Sequence, residues 1–105
     1  MSASFARRLP LLSACCLLPA SIPAVAADYF NGKTVYARYC QSCHGERGQG
    51  YLPGTPDFSR GQSMMRSDAA LIDSIANGRR AMPAFRGALT RDDIIDVTAY
   101  LRGLY

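Results

Sequence analysis

Two cysteines and the only histidine of the chain lie together in the run Cys40-Gln41-Ser42-Cys43-His44, a C-x-x-C-H spacing. On a helix, positions i, i+3 and i+4 project from one side. Two thiols so placed can form thioethers with the two vinyl groups of one porphyrin, while the imidazole reaches its iron. This is the attachment pattern of a c-type haem. Competing chemistries need partners that the chain does not offer. A structural zinc takes four ligands, yet no second histidine exists and the remaining cysteines, Cys15 and Cys16, lie in an apolar N-terminal stretch. A thioredoxin-like redox pair belongs in a βαβ setting, and no segment here alternates convincingly as a strand. A plain Cys40–Cys43 disulfide stays open.

A sole histidine excludes a second imidazole on the iron from within the chain. The sixth ligand is then methionine, lysine, an outside molecule or nothing. Met82 stands in Gly78-Arg79-Arg80-Ala81-Met82-Pro83-Ala84-Phe85, between two expected helices. Pro83 fixes one backbone angle beside it and removes an N–H, which suits a loop held against a haem face. Met82 is the expected second axial ligand. Met64 and Met65 are the alternative, and their expected place is packing over the haem edge.

Three helices must position these residues. Val35, Tyr36, Tyr39, Cys40 and Cys43 recur at three- and four-residue steps, which predicts a first helix from about Asn31 to His44. Leu71, Ile72 and Ile75 predict a second over about Asp68 to Asn77, with Ser67 as N-cap and Gly78 as its stop. The third starts at Thr90, whose hydroxyl can cap while Asp92 and Asp93 meet the positive end of the helix dipole. Ile94, Val97, Leu101 and Leu104 form its apolar stripe. Gly45–Gln62, with five glycines and two prolines, and Arg79–Leu89 read as loops. The fold class is all-α.

The 105 residues, at net charge +4, do not all belong to that domain. Arg7 and Arg8 precede an uncharged run from Leu9 to Ala27 that ends in small residues. A basic start, an apolar middle and an A-x-A-like end make a cleavable export signal over residues 1–27. Cleavage after Ala26 or Ala27 fits. Pro10, Pro19 and Pro23 argue against a retained membrane helix. Leu12-Ser13-Ala14-Cys15 is similar to a lipobox, so lipid anchoring at Cys15 is the minority alternative. Residues 28–105 then form the working domain, with 10 basic and 8 acidic side chains and no basic stripe. That excludes a nucleic-acid binder. Below about 70–80 residues a core usually needs a staple, and with two cysteines left that staple is the cofactor, one haem c per chain.

From Gly32 onwards the residues resemble the class I cytochrome c family. Gly32-Lys33, Val35-Tyr36 and Tyr39 through Gly45 look like its N-terminal helix and haem-binding end, and Asp92 to Arg102 is similar to its terminal helix. The resemblance implies a cytochrome c fold, three main helices with loops wrapped around one covalently attached haem. It also implies a crossing of the first and last helices, with Gly32 and Tyr36 facing Val97 and Tyr100. Ala81 to Phe85 looks like the ligand loop of the short bacterial members. The small size and Gly54-Thr55-Pro56-Asp57-Phe58 look like the monohaem cytochromes associated with haem-cd-type nitrite reductase.

With both axial positions filled by protein, no vacancy is left for substrate chemistry, and a thioether sulfur favours ferrous iron and raises the potential. The expected function is a periplasmic one-electron carrier, not an enzyme and without a membrane span in mature form. It would act as a monomer that donates to a respiratory partner such as a nitrite reductase. Arg79, Arg80 and Arg86 are candidates for haem propionates or an acidic partner. The rival functions are an open-coordination haem enzyme or gas sensor, and a haem-delivery protein serving a reductase.

Overall fold

The computed structural model describes residues 25–105 together with Met1, Pro10, Ala20 and Ser21. The expected export signal lies largely outside the described residues, and Cys15 entirely so. Four helices follow in order: α1 (Tyr29–Tyr39), α2 (Gln41–His44), α3 (Asp68–Asn77) and α4 (Arg91–Arg102), with a single 3-10 turn at Phe58–Arg60. Among the described residues the only β-type pairing is one isolated bridge, Arg79 to Met82. The all-α expectation holds.

The helix starts follow local chemistry. Asp28 caps α1, its carboxylate accepting from the backbone N–H of Phe30 and Asn31. The helix therefore begins two residues before the expected Asn31. It also ends sooner, because the backbone departs from helical values at Cys40 (φ −116°, ψ −36°). The Cys40 carbonyl accepts from both Cys43 and His44, at 3.2 and 3.0 Å, which restarts the ladder as the one-turn α2. Ser67 caps α3 by accepting from Ala70 at 3.2 Å. Thr90 and Asp93 form a reciprocal capping box on α4, at 3.1 and 3.0 Å. Each such cap contributes about 1 kcal/mol.

Packing brings the first and last helices together. A Cβ on Gly32 would fall inside the backbone carbonyl of Asp96, so only a glycine lets α1 sit this close to α4. Tyr36 and Val97 are essentially without solvent contact at this crossing. The ring centroids of Tyr36 and Tyr100 lie 5.2 Å apart with a 51° tilt. At the other end of α4, the Arg102 guanidinium donates to the carbonyls of Met64 and Arg66 and to the Asp68 carboxylate at 2.6–3.0 Å. Five donors in a planar fork suit such a multiple contact, and the result ties the loop before α3 to the end of α4. No helix of the described residues is long and apolar enough to cross a membrane.

Candidate haem site

The C-x-x-C-H run straddles the break between α1 and α2. Cys40 is half-buried, Cys43 is exposed, and neither is bridged. Burial, and secondly the neighbouring Cys43 thiol, push the Cys40 thiol up to about 11. A redox-active C-x-x-C pair relies on the opposite shift, towards thiolate, so this environment does not suit thiol–disulfide exchange.

His44 is buried, and desolvation lowers its pKa, favouring the neutral imidazole. Its ring stacks on Phe58 at 5.0 Å between centroids and 20° between planes. Its Nδ1 is buried and has no hydrogen-bond partner. A buried polar atom without a partner is uncommon and calls for a reason. Neutral imidazole is the form that ligates a metal, and a buried, stacked imidazole next to two unbridged thiols fits a haem.

The loop after His44 is wound tightly around it. Gly50 donates to the His44 carbonyl at 2.7 Å, and Tyr51 donates to the Cys43 carbonyl at 3.0 Å. Phe58 donates to the Gly48 carbonyl at 2.7 Å, which carries its ring to the imidazole. The Tyr36 hydroxyl donates to the Gly45 carbonyl at 2.6 Å. Phe58 supports the histidine directly, and Tyr36 supports it through the residue that follows. For Phe58 the only local signal is Asp57, whose side chain caps the 3-10 turn by accepting from Arg60.

Met82 belongs to a small hairpin. Arg79 and Met82 exchange both backbone hydrogen bonds at 3.0 Å, with Arg80 in the left-handed region at φ 55°. Gly78 (φ 77°) lets this hairpin fold onto the end of α3, since a Cβ there would meet the Met82 carbonyl and the Ala84 N–H. Beyond it, Phe85 and Arg86 donate to the carbonyls of Ile75 and Ala76 at 3.0 and 3.2 Å, satisfying the C-terminus of α3. Met82 is half-buried against the same core as Tyr39, Cys40 and Phe85. The rings of Tyr39 and Phe85 meet edge-on at 6.2 Å, joining the helix that leads into Cys40 to the methionine loop. The other two methionines differ sharply. Met64 is a core residue, and Met65 is 97% exposed.

Residues 27–101 match the family described as cytochrome c oxidase, cbb3-type, subunit III. Cytochrome c6 of a Nostoc species is 37% identical over 86 residues, which cover 79% of this chain and 77% of the relative. Cytochrome c6 of the red alga Porphyra purpurea is 34% identical over 89 residues, covering 82% and 80%. The crystal structure of cytochrome c6 from the diatom Phaeodactylum tricornutum superposes with a TM-score of 0.62 at 26% identity, covering 73% of this chain and 93% of that one. A cytochrome c fold, a C-x-x-C-H run on its first helical segments and relatives of this length agree on one conclusion. The chain belongs to the class I monohaem c-type cytochromes, electron carriers rather than enzymes, with one haem c per chain.

Proposed function

We propose that Cys40 and Cys43 would form the two thioethers of a bound haem, that His44 and Met82 would ligate its iron, and that residues 28–105 work as a periplasmic one-electron carrier. When bound, the haem supplies a single-electron couple. The protein's part is to hold two ligands still. His44 is kept neutral by burial and oriented by the Phe58 ring. Met82 is held by a hairpin clipped to α3 at both ends. Rigid ligands limit rearrangement between the two redox states, and a thioether sulfur raises the potential.

The observation that carries the methionine assignment is the contrast among the three candidates. Met82 alone is half-buried in an anchored loop on the same core face as Cys40, whereas Met64 is interior and Met65 is in solvent. In the Met82→Ala protein, covalent haem is expected to be retained while the sulfur-to-iron charge-transfer band of the oxidised spectrum disappears. Persistence of that band would move the assignment to Met64 or Met65.

The partner is a redox enzyme met through a small, transient interface. Tyr51 and Leu52, 62% and 51% exposed, both donate their N–H to the Cys43 carbonyl, so an apolar surface adjoins that cysteine. Arg79, Arg80 and Arg86 are exposed around the Met82 hairpin and make no ion pair with a described residue. An apolar surface beside Cys43 and unpaired arginines around the Met82 hairpin suit an electron acceptor with acidic side chains around its entry site. A nitrite reductase of the haem-cd type is the acceptor that the Gly54–Phe58 segment suggests. Stopped-flow mixing of reduced protein with that enzyme tests it: rapid oxidation supports the pairing, and none removes it.

A further inference from the structure

Asp96 is a buried carboxylate in the middle of α4, 9% exposed. Its Oδ1 accepts from the backbone nitrogen of Asp28 at 2.7 Å, and its Oδ2 accepts from the Asn31 side-chain amide at 2.8 Å. That same amide also donates to Asp93 at 3.0 Å, so it is shared between two acids. Among the described residues the ion pairs are Arg60–Asp57 and Arg102–Asp68, and neither reaches Asp96. A buried carboxylate is normally matched by a cation. Here neutral amides do the whole work.

The backbone nitrogen that meets Asp96 stands at the boundary of the expected export signal. Val25, Ala26 and Ala27 are exposed and make no hydrogen bond to another described residue, and Asp28 is the first residue held by the fold. We propose that the export signal is cut between Ala27 and Asp28, and that the new α-amino group becomes the cation paired with Asp96. A peptidase hydrolyses this bond with one water, leaving a carboxylate on Ala27 and an amine on Asp28, which takes up a proton at neutral pH. The contact, already charge-assisted through the Asp96 carboxylate, gains a cationic donor and becomes an ion pair. Asp96 thus acts as a receptor for the processed N-terminus, and the joint between α1 and α4 tightens only once the signal has gone.

This rests on reading residues 1–27 as a cleaved signal, and two measurements separate the claims. N-terminal sequencing and intact mass of haem-loaded protein, isolated from cells that express the full chain, should give Asp28 as the first residue. A start at Ala27 overturns the inference and leaves the signal reading standing; an uncut chain overturns both. Thermal denaturation of loaded proteins that begin at Ala27 or at Asp28 then tests the ion pair. The Asp28 form is expected to melt about 4 °C higher, and the gap should close when both carry Asp96→Asn. Equal melting of the two forms with Asp96 intact refutes the pair, and that comparison needs no variant that could misfold.

Discussion

The Tyr36 hydroxyl and the Gly45 carbonyl meet at 2.6 Å, joining the middle of α1 to the residue that follows His44. Tyr36 is 1% exposed, and burial pushes its phenol well above the ordinary tyrosine value, with Cys40 and Tyr100 adding to the shift. The bond therefore persists as a neutral donor throughout the usable pH range. It fixes where the chain turns after the imidazole.

Tyr36→Phe should remove one of the two hydrogen bonds on the Gly45 carbonyl, which keeps the Gly48 N–H at 3.1 Å, at a cost of about 0.5–1.5 kcal/mol. Thermal denaturation of the oxidised protein measures the loss. Because Gly45 is bonded next to His44, the midpoint potential should shift as well. A variant with lowered stability and an unchanged potential would limit the tyrosine to packing.

Gly32→Ala tests the close seat of α1 on α4. The new methyl would have to displace backbone, not a flexible side chain, so the cost should reach at least about 3 kcal/mol. Loss of the helical circular dichroism signal at room temperature, or a steep fall in melting temperature, is the expected outcome. Ala37, exposed on the same helix, offers the control: Ala37→Ser should change stability little.

Cys40→Ala combined with Cys43→Ala should yield a chain that neither retains haem under denaturing conditions nor shows native helix content. So small a domain draws much of its interior from the cofactor. Far-ultraviolet circular dichroism of the purified variant checks this, and a cooperatively melting apoprotein would contradict it.

Acid should loosen α4 from its N-terminus. The Asn31 amide first, and then the backbone and hydroxyl of Thr90, hold the Asp93 carboxyl below its ordinary value of 3.8. A carboxylate with a lowered folded pKa stabilises the fold above its unfolded value, and that stability is lost as pH falls through the folded one. Melting temperature followed from about pH 5 to about pH 2 should therefore fall less steeply in Asp93→Asn than in the parent.

Local signals made much of this molecule legible from its residues. Ser67, Gly78 and Thr90 each mark a helix boundary where the structure has one, because caps and stops act within three residues. The haem motif was equally local. Apart from the crossing of α1 and α4, which the family resemblance implied and the Gly32–Asp96 and Tyr36–Tyr100 contacts show, how separated segments meet could not be read. The break at Cys40 is invisible to periodicity, since the apolar spacing runs through it unchanged. Phe58 stacking on His44, the Arg102 clamp on Met64 and Arg66, and Asp96 under Asp28 all join residues far apart in sequence.

Gly32 resting on the Asp96 carbonyl also bears on what loop lengths this fold can carry. The contact closes a ring of chain that begins in the first helix and ends in the last, and everything between is enclosed by it. The entropy of closing such a ring grows only logarithmically, by about 0.6 kcal/mol for each doubling of its contour. Segments inserted into or deleted from the enclosed loops thus barely alter the work of closure. The glycine contact would thus tolerate longer or shorter loops between the two helices.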